Sequence, residues 1–443
     1  MQNQGIRDAR SLGTPKLLVL GLQHMFAMFG ATVLVPALTG LSVSATLLFA
    51  GLGTLFFHFL TKGKVPAFLG SSFAYLAGYA AIAPNGEAAL LPYACVGVAA
   101  SGLLYLILAA LVRGFGANRV MRFFPPVVTG PIIICIGMTL ANSAINNCTG
   151  SWDIALVAIL TVVIFNIWGK GMLRIIPILL GVLVSYVYAA VTGRVDFSGV
   201  ASAAWIGLPV KMENTVFSLI GNCDVNLLVT AIIAIMPIAF ATMIEHIGDI
   251  CAISSTVGGN FIADPGLHRT LLGDGLATSI ASLFGAPANT TYGENTGVLA
   301  LTRVYDPLVI RLAAVYAIIA SFCPKFAALV SAMPTGTIGG VSLILYGMIS
   351  AIGVRNLVEN RVDLAKSRNV IVVSLIISLA LGITFSAAGA ITFHVSEFTL
   401  NFSGLAVAAI VGIVVNAILP GKDYDFQNDY EYGKTTEDHG QML

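Results

Sequence analysis

Long apolar runs separated by short polar breaks are the feature that most limits what this chain can fold into. Only 10% of its 443 residues are charged, whereas 57% are hydrophobic. A soluble domain carries roughly 25% charged residues. We therefore predict an all-α polytopic protein that is embedded in a lipid bilayer.

The apolar runs divide the chain into about fourteen segments, since a membrane-spanning helix needs about 20 mainly apolar residues. The tenth segment is too short to cross a bilayer as one helix. The first seven segments are roughly 17–38, 43–60, 66–84, 90–112, 125–141, 152–168 and 174–192, and the second seven are roughly 226–250, 271–285, 294–302, 308–331, 336–353, 369–386 and 402–420.

The positions of the basic residues fix a predicted orientation. With the N-terminus inside, nineteen of the 22 Lys and Arg residues fall on the cytoplasmic side, and only Arg194, Lys211 and Lys325 fall outside. Cytoplasmic loops are the ones that carry an excess of Lys and Arg. We therefore predict a cytoplasmic N-terminus at 1–16 and a polar cytoplasmic tail at 421–443.

Two short similarities indicate an internal repeat. Val65–Tyr75 ("VPAFLGSSFAY") is similar to Ala286–Asn295 ("APANTTYGEN"), and Pro125–Gly130 is similar to Pro334–Gly339, at offsets of 221 and 209. A unit of seven spans that is used twice enters the membrane upside down the second time. Inverted repeats of this kind are typical of secondary transporters.

The third and tenth segments each begin with about eight residues that suit an extended chain better than a helix. Extended backbone at membrane depth is tolerated only where protein buries it or where it lines a cavity. We therefore predict broken helices at a binding site, with a pair of ordinary kinked helices as the alternative.

Few ionisable side chains lie within the predicted spans, and each is a functional candidate because a carboxylate at the bilayer centre costs roughly 2.5–3.5 kcal/mol. Glu245 and Asp249 lie one turn apart on one helical face. Asp249 is also consistent with a solvated helix end, and Glu294 with a carboxylate that the helix dipole favours. The full set is His24, His58, Glu245, His246, Asp249 and Glu294.

Two carboxylates opposite the starts of two short helices define the ligand that would fit. Carboxylates accept hydrogen bonds, and free N–H groups at helix starts donate them. The ligand should therefore offer both N–H donors and carbonyl acceptors, and it should be neutral and flat if Phe73 and Tyr292 flank it. A pyrimidine or purine base fits these demands, whereas an anion would be repelled.

Other classes of function lack support in the sequence. The six cysteines contain no CxxC pair, and no HExxH motif occurs, so we expect neither a metal site nor a cofactor. A membrane-embedded enzyme is a remote alternative. No basic run is present that could bind nucleic acid.

The chain resembles the nucleobase/ascorbate transporter family of nucleobase–cation symporters, and within it the bacterial proton-coupled uracil permeases, from about Gly13 to Pro420. The motifs that carry the resemblance are "ENTGVLALTR" (Glu294–Arg303), Gln23-His24, "GSSFAY" (Gly70–Tyr75), "EHIGD" (Glu245–Asp249) and "GGVSLILYG" (Gly339–Gly347).

The resemblance implies a fold of about 14 transmembrane segments in two inverted seven-span repeats. It implies a core domain (17–121 and 224–332) and a gate domain (122–196 and 333–420). Short antiparallel strands would break spans 3 and 10, and the base would bind between core and gate. It also implies a homodimer through the gate domain, in the bacterial inner membrane.

The resemblance also assigns roles to residues. Glu245 and Glu294 would accept hydrogen bonds from the ring N–H groups, and the backbone N–H groups of Phe73 and of Gly293 or Glu294 would donate to the carbonyl groups. Tyr346 would contact the base from the gate side. The residues implied in substrate binding are Glu245, Glu294, Phe73, Gly293, Tyr292 and Tyr346, and those implied in proton coupling or support are His24, Glu294, Asp249 and Asn295.

The implied activity is the import of uracil by proton symport through alternating access, with the proton as coupling ion and sodium as an open alternative. Glu294 favours uracil, since xanthine-type relatives tend to have Gln there. Asp249 departs from the pattern, because uracil permeases carry His at this position and purine relatives often carry Asp. A xanthine or urate permease therefore remains the alternative.

Overall fold

Residues 5–395 and 398–421 are described by the computed structural model, and most of them lie in α-helices. The chain is a multi-pass membrane protein: within the described residues, and with Val225–Val257 counted as one, seven helices are long and apolar enough to span a bilayer, or eight if one bent pair counts as a span. Of the predicted termini, residues 1–4 and 422–443 lie outside the described residues.

The helices of the first half follow the predicted apolar runs, and several begin at proline, which suits a helix start because its missing N–H is not needed there. α1 ends at Gly40 in the left-handed conformation, with the Gly40 N–H donating to the Pro36 oxygen. These helices are α1 (Thr14–Thr39), α2 (Val43–Leu60), α3 (Leu76–Ile82), α4 (Leu91–Phe115), α5 (Ala117–Met121), α6 (Pro126–Cys148), α7 (Trp152–Trp168), α8 (Met172–Ile175), α9 (Pro177–Val191) and α10 (Ser198–Ser202).

Two apolar runs of the second half are interrupted at proline, one at Pro237 and the other at Pro324. A 3-10 turn at Met236–Ile238 joins α11 to α12, because Pro237 has no N–H to donate within a helix. The helices are α11 (Val225–Ile235), α12 (Ala239–Val257), α13 (Leu267–Leu283), α14 (Gly293–Thr302), α15 (Pro307–Ser321), α16 (Pro324–Ser331), α17 (Thr335–Glu359), α18 (Ser367–Thr384) and α19 (Gly404–Ile418). Short 3-10 or π turns cover Ala9–Leu12, Met212–Asn214, Val216–Leu219 and Ile262–Gly266.

Two strands meet inside the helical bundle. β1 (Leu69–Ser71) and β2 (Asn289–Thr291) pair antiparallel, with Gly70 opposite Thr290, and all six residues are buried. A Cβ atom on Gly70 would lie 2.4 Å from the Tyr292 ring, so the pairing requires glycine there. β1 leads into α3 and β2 leads into α14, and the starts of these two short helices are thereby brought together.

Small residues let two pairs of long helices approach closely, as is usual in membrane bundles. α4 contacts α13 where Gly102 faces Gly275: a Cβ on Gly102 would lie 2.5 Å from the Gly275 oxygen. α6 contacts α17 in the same way, since a Cβ on Gly137 would lie 2.2 Å from the Tyr346 oxygen. α13 also contacts β2, where Thr278 Oγ1 donates to the Asn289 oxygen at 2.9 Å.

The structure differs from the predicted spans in two places. The run predicted as one span at 308–331 is two helices, α15 and α16, bent by 88°. Cys323 is extended at the bend and Pro324 begins the second helix, since proline cannot continue a preceding helix. An antiparallel hairpin of β3 (Ala390–Val395) and β4 (Phe398–Ser403) connects α18 to α19, and the sequence analysis did not predict it.

Candidate functional site

A cavity of about 250 Å³ lies where the strand pair ends. Residues of α1, α12 and α14 line one side of it, and residues of α6, α9 and α17 line the other. Six residues singled out from the sequence border this cavity: Phe73, Glu245, Asp249, Tyr292, Gly293 and Glu294. The paired strands thus bring together segments that are more than 200 residues apart in the chain.

Three carboxyl groups face the cavity. Glu245 and Asp249 come from successive turns of α12, and Glu294 comes from the first turn of α14. Glu245 Oε2 is buried and has no hydrogen-bond partner among the described residues. Asp249 Oδ2 accepts a hydrogen bond from Thr291 Oγ1 at 2.8 Å. Glu245 is therefore free to accept a hydrogen bond from a ligand, whereas one oxygen of Asp249 is already engaged.

Backbone donors approach the same cavity from the start of α14. Tyr292 precedes α14 in an extended conformation and its side chain makes no capping hydrogen bond, so the first N–H groups of this helix have no side-chain cap. The helix dipole adds partial positive charge at this end. The cavity therefore offers donors from the backbone as well as acceptors from the carboxylates.

Tyr292 is held in place by its hydroxyl group. The hydroxyl donates to the Ser71 backbone oxygen at 2.9 Å and lies 3.4 Å from Thr32 Oγ1. Because Ser71 belongs to β1, this contact ties the start of α14 to the opposite strand. Tyr292 lines the cavity, as an aromatic side chain that flanks a flat ligand must.

Three of the predicted site residues lie behind the cavity lining. Tyr346 is 1% exposed and packs edge to face against Phe73, with ring centroids 5.7 Å apart. Asn295 Nδ2 donates to the His24 backbone oxygen at 3.1 Å and lies 3.2 Å from His24 Nδ1. His24 and Asn295 therefore connect α1 to α14, and Tyr346 supports Phe73 from α17.

Several polar residues near the site were missed by the sequence analysis. Arg174 and Asn166 also line the cavity. Asp274 is fully buried on α13 beside His246, and the signal for it was present as a lone acidic residue in the apolar run "TLLGDGLATSIASL".

The remaining ionisable and metal-binding candidates have simple environments. His58 Nε2 lies 2.9 Å from the Ala67 backbone oxygen. Cys95, Cys135 and Cys148 are buried, whereas Cys223 is exposed. Within the described part of the chain, no three His, Cys, Asp or Glu side chains form a group that could hold a metal ion.

Comparison with known proteins gives consistent matches over the whole chain. Residues 15–389 match the model of the family Xan_ur_permease, described as "Permease family". The chain is 42% identical over 437 residues to the uracil permease of Bacillus caldolyticus, with 96% of each protein covered. It is 40% identical over 451 residues to the uracil permease of Bacillus subtilis (strain 168), covering 99% of this chain and 98% of that protein.

A solved structure shares the fold at low sequence identity. The transmembrane domain of the cyanobacterium bicarbonate transporter BicA is 14% identical, with a TM-score of 0.59 over 94% of this chain and 100% of that one. This similarity concerns the fold alone.

Proposed function

The chain belongs to this permease family, and we propose that it imports uracil, or a close pyrimidine base, by proton symport through alternating access. The matched relatives are named permeases, so the protein is a transporter and not an enzyme. The resemblance that the sequence motifs indicated is thereby confirmed. The observation that carries the substrate proposal is the placement of carboxylates and uncapped backbone N–H groups around one cavity.

Uracil has the pattern of groups that this cavity complements. Glu245 and Glu294 accept hydrogen bonds from its two ring N–H groups, and the N–H groups of Phe73 and of Gly293 or Glu294 donate to its two carbonyl oxygens. Tyr292 covers the ring. The two matched relatives named above are uracil permeases, which supports the same choice of base.

One of the cavity carboxylates, Glu294 or Glu245, binds the coupling proton. Burial away from water favours the neutral form of a carboxyl group, so a proton from the outside can be held while the site is open to that side. The hydrogen bond between Asn295 and His24 ties α14 to α1 next to Glu294, and Asp249 adds a third acidic group. Because uracil is neutral, proton symport carries net positive charge inward.

Alternating access requires two bodies that move relative to each other. The close packing of α4 with α13 and of α6 with α17 supports a core domain (17–121 and 224–332) and a gate domain (122–196 and 333–420). The cavity extends to Arg174, one of the nineteen basic residues assigned to the cytoplasm. It therefore faces the cytoplasm in this conformation, as an inward-facing carrier does.

The proposal includes fourteen spans, two inverted repeats and a homodimer. The eight long spans, with the bent pair counted as one, are joined by three apolar helices of 15 to 17 residues, α7, α9 and α19. Adding α13 and the two strand-helix segments, β1 with α3 and β2 with α14, gives fourteen. Antiparallel pairing of β1 with β2 supports two inverted repeats. We place both termini in the cytoplasm of a bacterial cell, with the protein in the inner membrane as a homodimer.

A purine permease, for xanthine or urate, is the second candidate. The observation that favours it is Asp249, which lies at the cavity and bonds Thr291 where His would be expected for uracil. An anion such as bicarbonate is disfavoured despite the shared fold, because three carboxyl groups face the cavity.

The deciding experiment is uptake of radiolabelled uracil into proteoliposomes that contain the purified protein, with and without an inward proton gradient. Accumulation that collapses when a protonophore is added is the expected result. Uracil entry that ignores the gradient would remove the proton coupling and leave sodium to be tested. Entry of xanthine without entry of uracil would replace the substrate.

A further inference from the structure

A second pair of ionisable side chains, His246 and Asp274, lies behind the cavity. His246 follows Glu245 on α12, and successive helical residues point about 100° apart, so His246 faces α13 instead of the cavity. Its Nδ1 lies 3.0 Å from Asp274 Oδ2, and neither side chain has exposed surface. The rings of Phe57 and Tyr105 meet the imidazole edge to face, each at 6.4 Å between centroids.

The charge of this pair follows from its burial. A neutral imidazole beside a carboxylate would leave one net negative charge away from water, which is costly without a counter-ion. Among the described residues, His246 is the only ion-pair partner of Asp274. One extra proton makes the pair neutral, as imidazolium with carboxylate or as imidazole with carboxylic acid. The pair therefore holds one proton of its own.

Polar and aromatic side chains surround this turn of α12. The Tyr105 ring packs against His246, and Thr242 lies one turn before His246 on the same helix. Thr242 Oγ1 lies 3.3 Å from the Tyr75 hydroxyl. The pair therefore lies on the same stretch of α12 as Glu245, on a different face of the helix.

Two of the cavity carboxylates lie on the helix that carries the partner of Asp274. Glu245 directly precedes His246 on α12, and Asp249 lies three residues after it. Two like charges in a dry interior disfavour each other. Other ionisable groups on the packed elements are engaged elsewhere or neutral: His58 on α2 with the Ala67 oxygen, Arg269 on α13 with the Leu60 oxygen, and the phenols Tyr75 and Tyr105.

We propose that His246 is a positioning residue for proton coupling: it neutralises Asp274, so that the transported proton goes to the cavity carboxylates and not to Asp274. This inference rests on the proposed proton symport. Without His246, Asp274 would be an unpaired carboxylate that, while charged, repels the charged forms of Glu245 and Asp249.

The test compares the pH dependence of uracil uptake for His246→Asn, Asp274→Asn and the double variant. His246→Asn leaves Asp274 unpaired, so the cavity carboxylates keep their proton to higher pH. We expect the pH of half-maximal uptake to rise by about one unit. Asp274→Asn and the double variant leave no unpaired carboxylate, and both should keep the wild-type midpoint. His58→Asn is the matched control, because it removes a buried imidazole that has a carbonyl partner instead of a carboxylate.

Loss of folding is also informative. If His246→Asn does not yield folded protein while the double variant does, His246 neutralises Asp274, and the coupling claim is then decided by Asp274→Asn, whose midpoint must equal that of the wild type. If the single and double variants both fail to fold, or if all midpoints equal that of the wild type, the pair has only a structural role and the inference is wrong. Failure of the proposed function is distinct, since the wild type itself would then show no pH-dependent uracil uptake.

Discussion

The three cavity carboxylates have different hydrogen-bond partners. Glu245 has an oxygen without a partner, whereas Asp249 is bonded to Thr291. A hydrogen bond to a charged group contributes about 1.5–3 kcal/mol. We expect Glu245→Gln, which keeps the shape but not the charge, to weaken uracil binding by about tenfold to hundredfold, by the conversion of 1.4 kcal/mol per factor of ten.

Isothermal titration of the purified protein with uracil measures this change. Glu213→Gln is the matched control, because the Glu213 side chain is 74% exposed in the segment between α10 and α11. Equal affinity in wild type and Glu245→Gln would remove Glu245 from the site. Equal losses in both variants would point to a general effect on the fold.

The sequence identified the three carboxyl groups of the cavity but not Asp274, which lies behind it. Glu245, Asp249 and Glu294 stand out because charges are rare in apolar spans. Asp274 obeys the same rule and was overlooked. The placement of Tyr346 behind Phe73 could not be predicted from the sequence, since it depends on where α17 lies relative to the segment that carries Phe73.

At the scale of elements, glycines decide how closely two helices pack. A Cβ on Gly339 of α17 would lie 2.8 Å from the Ala144 oxygen of α6, whereas no atom lies within 4 Å of a Cβ on Gly347 of the same helix. Because the blocking atom belongs to the backbone, the two helices would have to separate. We expect Gly339→Ala to destabilise the protein by about 1–3 kcal/mol.

Gly347→Ala is the matched control and should be neutral or slightly stabilising, because alanine favours a helix over glycine by about 1 kcal/mol. Thermal unfolding in detergent, followed by loss of the monodisperse peak, compares the two variants with the wild type. A lower midpoint for Gly347→Ala than for Gly339→Ala would contradict the predicted contact between α6 and α17.

Element positions were predictable to within a few residues wherever a long apolar run ends at a polar break. The break between α15 and α16 was missed because the run at 308–331 remains apolar on both sides of Pro324. The hairpin of β3 and β4 was missed because short extended segments outside the spans carry a weak periodic signal.

At the scale of the whole molecule, the sided distribution of Lys and Arg predicts which surfaces face the cytoplasm. Cys223 is exposed in the segment before α11, which we place outside. A membrane-impermeant maleimide should therefore label the protein in intact cells, and Cys223→Ser should remove most of that label.

A cysteine introduced at Lys62, on the opposite face, should react only after the cells are permeabilised. The comparison is best made in the Cys223→Ser background, where Cys323, which is half-buried, reports the residual outside reaction. Labelling of position 62 in intact cells would show that the proposed orientation is wrong. The cavity would then open to the outside and not to the cytoplasm.

The sequence by itself determined that the chain crosses the membrane many times, which residues are too costly in lipid to be there without a role, and which family it belongs to. The first two conclusions depend on composition and spacing, because the bilayer penalises every charge and every unpaired backbone group in the same way, whereas the family was indicated by the resemblance of the motifs. Only the tertiary structure decided that β1 pairs with β2, that six of the predicted residues share one cavity, and that His246 meets Asp274. Those contacts join residues far apart in the chain, and their geometry is set by the packing of whole helices, which no local pattern encodes.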